Sequence, residues 1–453
     1  MGLVKTNGQS GVLPRGYRLG KLGVSLAGSY LGYQIQNILL GETGRLQRKA
    51  HFQKKASRQV REELGALKGP AMKLGQLLSM QNGILPEEGL LELANLQMQA
   101  PGMHASLARV QFKSALGKYP EEMFREFDLE PFAAASLGQV HRAVTFNGEK
   151  VAVKIQYPAI RSAIESDLKL LRSAALPGRV TGHVPSALLD EIARGLLEET
   201  DYVHEAGNLD YFRTGLAGLD FVTVPRVHRE LTTDRVLTMS FVEGETLSNW
   251  LKRKPSQALR DLTGARLWEA YETQLQHLRV IHADQYPGNY LFQPEGRFGL
   301  VDFGCVKRVN FDFRELCRFY DNRGWRESDA AARRFLSILY GKTVPYARAR
   351  KILPLIEEWL DVFHPQGSGD HVIDFRNYLK KNPKVLEMHR RMRRRTLQDK
   401  LINPDFVYLA RGDMGVWHLL SEIGATVNVS EISHRVSATP PRAGNFVGNK
   451  HLK

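Results

Sequence analysis

Asp284, Asn289 and Asp302 stand at close intervals between His282 and Gly304, in the stretch HADQYPGNYLFQPEGRFGLVDFG. Asp284 comes first, Asn289 follows it, and Asp302 begins an Asp-Phe-Gly triplet. In phosphoryl transfer one carboxylate receives or orients the acceptor proton, while an amide and a second carboxylate hold the magnesium that bridges the nucleotide phosphates. These residue types in this order predict Asp284 as the catalytic carboxylate and Asn289 and Asp302 as magnesium ligands.

A small hairpin is predicted between these polar residues. Tyr290–Phe292 is a short apolar run, Pro294–Gly296 has the composition of a turn, and Phe298–Val301 is a second apolar run. That order of loop, strand, turn, strand and loop places Asn289 and Asp302 at the same edge of a small sheet. A single Asp-Phe-Gly triplet occurs often by chance, so it is the ordered set at these spacings that favours a kinase-like site.

Residues 131–160 have the pattern of a strand hairpin that contacts phosphates. A turn of small residues feeds the first strand, residues 146–149 form a hairpin turn, and Val151–Lys154 ends the second strand with an ammonium group. Such a turn lets backbone N–H groups approach phosphates, normally with glycine, so alanine here predicts a stiffer loop. We expect Lys154 to contact a phosphate. The predicted phosphate loop consists of Ala133, Ala134, Ala135 and Ser136.

An acidic cluster ends the helical pattern that runs from Pro185 to Asn208. On one continuous helix, Asp201 and Glu205 lie on the same face. Because a carboxylate on such a helix fixes the phosphate-binding lysine in kinases, we expect Glu205 to pair with Lys154. Without that lysine, the acidic cluster would be a solvated helix face.

Two further strand patterns, 221–225 and 236–242, precede Glu243. Glu243 and the glycine after it lie at the predicted crossing between two lobes, where backbone groups contact adenine in kinases. A helix over 256–281 leads to the catalytic stretch, and helices resume from Asp312. Strand patterns and helical patterns in separate segments of the chain favour an α+β fold.

The composition is that of a globular protein with an anionic partner. The 453 residues suffice for two lobes, and two cysteines give neither a disulfide framework nor a zinc spacing, which indicates a reducing compartment such as the cytoplasm. A formal net charge of +15 favours a nucleotide, an anionic lipid or a nucleic acid as partner. Because no basic segment is interleaved with aromatic residues, no nucleic-acid partner is expected.

Residues 22–41 carry no charge and lie between basic flanks. Their length would nearly cross a bilayer, but serine, glutamine and asparagine dilute the segment, so a spanning helix is the weakest alternative. An interfacial helix, which would give peripheral contact at the inner membrane face, and an ordinary packed helix both remain open. No cleavable signal peptide is expected.

The motifs together resemble one family, the UbiB-type atypical kinases, also called AarF-domain or ADCK-like proteins. The resemblance covers residues 55–310. Lys73 and Gln76 lie on a predicted helix and would by themselves be solvated surface residues, but with the alanine loop they distinguish this family from other kinase-like ones. The motifs are Lys73-x-Gly75-Gln76, Ala133-Ala134-Ala135-Ser136, Lys154 in VAVK, Glu199-x-Asp201, Glu205-Ala206-x-Asn208, HAD-x-x-PGN and DFG.

This resemblance implies a two-lobed protein-kinase-like fold with an N-terminal helical extension over the active site. In such proteins the lysine and glutamine corresponding to Lys73 and Gln76 enter the nucleotide region, close to Glu199 and Asp201, and the extension blocks the docking of a protein substrate. The implied organisation is a basic and uncharged N-terminal segment 1–41, the extension 42–130, an N-lobe 131–244, a helical C-lobe 245–435 and a flexible tail 436–453.

The resemblance also implies ATP and Mg²⁺ as cofactors. The implied activity is that of an ATPase or atypical phosphotransferase that supports ubiquinone or other isoprenoid-lipid metabolism, with an isoprenoid lipid or quinone precursor as partner. Two positions depart from the family pattern: Gln285 and Tyr286 stand where Pro-His is usual, and Thr200 stands where leucine is usual. Neither change removes a metal ligand or a charged group.

Two other functions remain open. A small-molecule kinase of the aminoglycoside or choline type has a similar order of catalytic residues, although Lys73, Gln76 and the alanine loop argue against it. A nucleotide-binding pseudokinase that serves as a scaffold would use nearly the same residues as an enzyme. The full set of charged residues favours turnover over pure scaffolding.

Overall fold

The computed structural model describes most of the chain after residue 102. The described residues are 103–173, 193–363, 371–376 and 403–440, except 136, 310, 342–344 and 404, together with scattered residues between 378 and 391. The predictions for segment 22–41, for Lys73 and for Gln76 lie outside these residues. The chain divides into two compact units: the first runs to His204 and includes His228–Met239, and the second comprises Glu205–Val227 and the chain from Ser240.

Strands and helices are numbered here in chain order. The strands are β1 (Glu126–Phe127), β2 (Ala133–Ala135), β3 (Gly138–Val144), β4 (Lys150–Gln156), β5 (Val222–Thr223), β6 (Val236–Ser240), β7 (Val280–His282), β8 (Tyr290–Phe292), β9 (Phe298–Leu300), β10 (Val306–Arg308), β11 (Val372–Asp374) and β12 (Thr426–Asn428). The helices are α1 (Ala105–Leu116), α2 (Ile160–Ser173), α3 (Tyr202–Gly215), α4 (Leu247–Lys252), α5 (Gln257–Thr273), α6 (Phe313–Asn322), α7 (Asp329–Tyr340), α8 (Tyr346–Ala349), α9 (Leu353–Phe363), α10 (Asp405–Ile423) and α11 (Val429–Ala438).

The first unit is built on a sheet in the order β1-β3-β4-β6, with β2 also pairing to β3. Along β4, Val151, Val153 and Ile155 pack into one apolar cluster with Phe112 of α1. Burying a side chain of this size contributes about 1.5–3 kcal/mol, so the cluster holds β4 firmly in place. Lys154 lies between Val153 and Ile155 and is therefore fixed by the same packing.

The alanine segment is a strand, and not the turn that the sequence suggested. Ala133 and Ala135 belong to β2, where Ala135 lies opposite Gly138 in an antiparallel pair with β3. Backbone pairing with β3 therefore continues almost to the tip of this hairpin. Gly138 is needed at the tip because a Cβ atom there would lie 2.3 Å from the carbonyl oxygen of Ile155. The predicted turn at 146–149 is confirmed, with Gly148 at a φ of 83°.

The acidic helix is interrupted where one continuous helix was predicted. Residues 193–198 are helical, the chain then turns, and α3 begins after Asp201. The Asp201 Oδ1 atom accepts the N–H groups of Val203 at 2.9 Å and His204 at 3.3 Å. A carboxylate that satisfies the first N–H groups of a helix favours a new start there. Asp201 is thus the cap of α3, and not a member of a helical face shared with Glu205.

In the second unit β8 and β9 form the predicted antiparallel hairpin, joined by a tight turn at Pro294–Gly296. β5 pairs in parallel with β9, so the strand predicted at 221–225 belongs to the second unit and is only two residues long. Helix α5 ends at Thr273 and continues as a π-helical turn, Gln274–Leu278, which leads directly into β7. These pairings confirm the α+β class.

The end of the described chain packs onto α5. The Trp268 indole N–H donates to the carbonyl oxygen of Val429 at 3.3 Å, and a His277 ring nitrogen lies 2.8 Å from that of Val436. α11 extends to Ala438 and its Val436 is buried, so the flexible tail does not begin at residue 436, where it was predicted. Residues 441–453 lie outside the described chain. Among the described residues, none of the helices combines the length and the apolar character that a membrane crossing requires.

The cap of α3 gives a first testable prediction. Replacing Asp201 with alanine should lower the free energy of unfolding by about 1 kcal/mol, because the N–H groups of Val203 and His204 lose their acceptor. Asp201→Asn is the matched control, since an asparagine oxygen caps a helix about as well. Urea denaturation of both variants measures the difference. Equal stability of the alanine and asparagine variants would contradict the capping role.

Candidate functional site

Asn289 and Asp302 lie at the same end of the β8–β9 hairpin, as the sequence predicted. Tyr290 pairs with Leu300, and beyond this pair the Val301 N–H donates to the carbonyl oxygen of Asn289 at 3.2 Å. Asn289 immediately precedes this last rung and Asp302 immediately follows it. Antiparallel pairing thus places an amide and a carboxylate, two oxygen donors that suit Mg²⁺, at one edge.

A buried histidine joins the two loops at this edge. The Asp284 N–H donates to His282 Nδ1 at 3.3 Å, and His282 Nε2 lies 2.6 Å from the carbonyl oxygen of Asp302. Because a backbone N–H only donates and a carbonyl only accepts, Nδ1 is the acceptor and Nε2 carries the proton. This one imidazole therefore sets the spacing between the loop of Asp284 and the Asp-Phe-Gly segment. In the sequence His282 stands out only as the first residue of the HAD motif, and no local pattern predicts this role.

Asp284 is fixed through its backbone and its side chain. Asn289 Nδ2 donates to the Asp284 carbonyl oxygen at 2.9 Å, which leaves the Asn289 amide oxygen as its ligand atom. Arg411 of α10 donates from Nη2 to Asp284 Oδ1 at 3.0 Å. Asp302 Oδ1 accepts the Gly304 N–H at 3.0 Å, which orients the second carboxylate. The two predicted magnesium ligands thus present an amide oxygen and an oriented carboxylate, and this donor set fits a hard divalent cation.

Helix α3 anchors the Asp-Phe-Gly segment. The Phe303 N–H donates to Glu205 Oε1 at 3.4 Å, and Asn208 Nδ2 donates to the Phe303 carbonyl oxygen at 3.0 Å. The Phe303 ring lies 4.9 Å from that of Phe212 and 5.6 Å from the His282 ring, measured between centroids. Glu205 and Asn208 are buried, so the motif residues of α3 hold the backbone next to Asp302.

The residues that depart from the family pattern have a structural role. Gln285 is buried, its Nε2 donates to the His282 carbonyl oxygen at 2.8 Å, and its Oε1 accepts the Tyr290 hydroxyl. Gln285 therefore ties the loop that carries Asp284 to β8. Desolvation, and then the charge of Asp284, raises the pKa of the neighbouring Tyr286 hydroxyl. Tyr286 thus remains a neutral hydroxyl beside that carboxylate at physiological pH.

In the first unit Lys154 is enclosed on β4. Its side chain is buried, and the ammonium nitrogen lies 5.1 Å from the centroid of the Tyr202 ring at the start of α3. Such a contact between a cation and an aromatic face is attractive and fixes the direction of the ammonium group. Gln156, also on β4, donates from Nε2 to the carbonyl oxygen of Thr200 at 2.9 Å. β4 thus holds the turn that contains the buried Glu199 and the capping Asp201.

The remaining predicted site residues lie in several places. Glu243 is exposed, and its carbonyl oxygen accepts from Gln293 Nε2 at 2.7 Å. Its predicted contact with adenine stays a prediction, as does the pairing of Lys154 with Glu205. Ala133, Ala134 and Ala135 form β2, while Ser136, Lys73 and Gln76 lie outside the described residues.

A buried carboxylate on α10, Asp413, joins this helix to α5. The Tyr271 hydroxyl of α5 donates to Asp413 Oδ1 at 2.5 Å. The pKa of Asp413 is raised to about 7, chiefly because its carboxyl group is removed from water; the Tyr271 hydrogen bond opposes this rise and the charge of Glu272 adds to it. Asp413 therefore gains a proton in the folded protein near neutral pH. Neither Asp413 nor Arg411 was predicted, because both follow the catalytic motifs by more than a hundred residues and belong to no local pattern.

The two units together define an α+β protein of the protein-kinase-like class. The residues typical of this class are a lysine on a sheet strand, Lys154, a carboxylate in the loop after β7, Asp284, and an amide and a carboxylate at one hairpin edge. The family model of the ABC1 atypical kinase-like domain matches residues 95–321, half of the chain. The chain belongs to the ABC1 atypical kinase-like family, which confirms the resemblance to AarF-domain proteins.

Several named proteins are similar to this chain. AarF domain-containing protein kinase 1 of Mus musculus is 30% identical over 305 residues, which are 65% of this chain and 58% of that protein. Protein ACTIVITY OF BC1 COMPLEX KINASE 7, chloroplastic, of Arabidopsis thaliana is 34% identical over 254 residues, 55% of this chain and 36% of that protein. The chain spans less than two thirds of the length of these relatives.

One solved structure extends the similarity over most of the chain. The structure of Rv3197 with erythromycin, from Mycobacterium tuberculosis, has a TM-score of 0.56 and 27% sequence identity. The match covers 86% of this chain and 99% of that chain. The kinase-like fold therefore includes residues beyond those that the family model matches.

The pKa of Asp413 predicts a pH dependence of stability. The folded pKa of about 7 lies above the value of about 3.9 for an unfolded aspartate. Its stabilising contribution is therefore fully present below pH 4 and is lost as the pH rises to 7. Across this window the wild type should lose up to about 1.4 kcal/mol per pH unit relative to Asp413→Asn, whose amide does not titrate.

Urea denaturation at several pH values between 4.5 and 7.5 measures this difference. Asp220→Asn, which removes an exposed carboxylate, is the control and should follow the wild type. Parallel stability curves for wild type and Asp413→Asn would show that the proton on Asp413 does not contribute.

Proposed function

We propose that this protein binds Mg-ATP and hydrolyses it or transfers its terminal phosphate. The observation that carries the proposal is the placement of Asn289 and Asp302 at one hairpin edge, with Asp284 hydrogen-bonded to Asn289. Asn289 and Asp302 would hold the metal, which supplies positive charge to the nucleotide phosphates when bound. Membership of an atypical kinase-like family supports this reading.

Each residue of the proposed site has its own role in binding the nucleotide or in the reaction. Asp284 orients the acceptor and receives its proton, since it is the carboxylate next to the predicted metal ligands. Lys154 contacts a nucleotide phosphate and is held by Glu205, as in kinases. Glu199, Asp201 and the backbone of Ala133–Ser136 contribute to nucleotide binding, with Glu243 at the adenine. Lys73 and Gln76 restrain the nucleotide region from the N-terminal extension and favour ATPase activity over phosphorylation of a protein.

The physiological acceptor or effector that we propose is an isoprenoid lipid or a quinone precursor. This proposal rests on the resemblance to UbiB-type proteins and on the net charge of +15, which favours contact with anionic lipid surfaces. The protein would act in the cytoplasm, with peripheral contact at the inner membrane face through residues 22–41. Assays of ATP hydrolysis with and without quinone-precursor mimics and anionic vesicles test this part.

Asp302→Asn should abolish magnesium-dependent nucleotide binding and leave the fold intact. The substitution removes the negative charge that Mg²⁺ requires but keeps an acceptor for the Gly304 N–H. In the wild type, ligand at a hundred times its dissociation constant should stabilise the fold by about 2.7 kcal/mol, which raises the melting temperature. Thermal unfolding with and without Mg-ATP measures this shift.

Asp374→Asn is the control, because Asp374 pairs with Arg376 in a strand remote in sequence from the catalytic loop. This variant should keep the full thermal shift. An undiminished shift in Asp302→Asn would remove that residue from the proposed metal site.

The segment 22–41 should give salt-sensitive binding to anionic vesicles. Attraction between basic flanks and anionic headgroups weakens as salt shortens the Debye length, to about 8 Å at 0.15 M. Vesicle co-sedimentation at low and high salt, with the full chain and with residues 1–41 deleted, measures the effect. Failure of the full chain to bind anionic vesicles at low salt would contradict the membrane contact.

A further inference from the structure

Helix α10 lies directly against the catalytic loop. A Cβ atom at Gly415 would lie 2.6 Å from the Cβ atom of Gln285, and one at Gly412 would lie 3.2 Å from Cγ2 of Ile281 in β7, the strand that leads into this loop. At both positions glycine lets the helix backbone approach closely. The loop that carries Asp284 is thus packed against a helix that begins at residue 405, beyond the last residue of the family match.

Arg411 projects from this helix to the catalytic carboxylate. Its Nη2 donates to Asp284 Oδ1 at 3.0 Å, and its Nη1 lies 3.5 Å from the sulfur of Cys305, the residue after the Asp-Phe-Gly segment. The side chains of Arg411 and Asp284 are 16% and 25% exposed, so water screens the pair only in part. A charge-assisted bond of this kind is stronger than a neutral one and restricts the orientation of the carboxylate.

We propose that Arg411 is a positioning residue that orients the Asp284 carboxylate for phosphoryl transfer. Three groups of Asp284 are then fixed: its N–H by His282, its carbonyl by Asn289 and its carboxylate by Arg411. The contact with Cys305 lets the same guanidinium group hold both loops that carry acidic residues. The inference rests on the proposed function, because it assigns Arg411 a role in that reaction.

The alternative is that Arg411 and Asp284 form a purely structural ion pair, and one other pair in the same unit provides the comparison. Arg435 of α11 donates from Nη2 to Glu269 Oε2 of α5 at 2.8 Å. This pair also joins two elements through one arginine nitrogen, but its carboxylate lies outside the proposed site. Removing Arg411 or removing Arg435 deletes one charge and one ion pair in each case. If Arg411 has only a structural role, the two variants should therefore turn over ATP equally; if it positions Asp284, only the loss of Arg411 should slow turnover.

The test compares Arg411→Ala, Arg411→Lys and Arg435→Ala in steady-state hydrolysis of ATP. Arg411→Ala should lower kcat about tenfold or more, because a misplaced catalytic group costs at least that much. KM and the dissociation constant for Mg-ADP should stay within about twofold, since the metal ligands and Lys154 are unchanged. Arg411→Lys, or millimolar guanidinium added to Arg411→Ala, should restore part of kcat, while Arg435→Ala should match the wild type.

A second measurement does not depend on turnover. In hydrogen exchange with mass spectrometry, peptides that cover residues 282–292 should exchange faster in Arg411→Ala than in the wild type and in Arg435→Ala. If the wild-type protein does not hydrolyse ATP, the proposed function is contradicted. The hydrogen-exchange rates of residues 282–292 would still show whether Arg411 positions the loop that carries Asp284. An unchanged exchange rate in Arg411→Ala overturns the inference. An unchanged kcat in Arg411→Ala also overturns the inference, as does a loss of Mg-ADP affinity in this variant that equals its loss of kcat.

Discussion

The hydrogen bonds of one buried imidazole determine the geometry of the candidate site. His282 accepts from the Asp284 N–H and donates to the carbonyl oxygen of Asp302, so it fixes the distance between two loops that each carry an acidic side chain. The antiparallel pairing of β7 with β10 brings these two loops together, and the imidazole bonds the residues that lie beyond this pairing. Because an unpaired buried polar group costs about 1–3 kcal/mol, each bond is expensive to break. The proposed catalytic and metal-binding carboxylates therefore depend on a residue that need not touch the nucleotide.

Other parts of the second unit reinforce this arrangement. Helix α3 holds the backbone of Phe303 through Glu205 and Asn208, and Arg411 of α10 holds the Asp284 side chain. Separate helices thus support the two loops, so that neither loop has to be rigid by itself. In the first unit the apolar packing of β4 gives Lys154 an equivalent support. Rigid placement of catalytic groups before the reaction reduces the entropy that must be lost during it.

The local elements of the site could be predicted from the sequence, because they follow from short-range patterns. The β8–β9 hairpin came from two apolar runs around a turn, and β4 from a run of β-branched residues. The interruption before α3 was missed because helical periodicity outweighed the capping tendency of Asp201. The short β2 was read as a turn, since alanine has no strong preference for strands. Arg411 could not be predicted, because its contact with Asp284 depends on tertiary packing across 127 positions of the chain.

The central claim is that the hairpin edge formed by Asn289 and Asp302 binds a magnesium nucleotide. Isothermal titration calorimetry of the wild-type chain with ATP, once in magnesium and once in EDTA, tests it most directly. We predict one nucleotide per chain, bound at least about tenfold more weakly without magnesium, because the metal would be held by Asn289 and Asp302 and would supply positive charge to the phosphates. Equal affinity in magnesium and in EDTA, or no nucleotide binding in either, would contradict the claim.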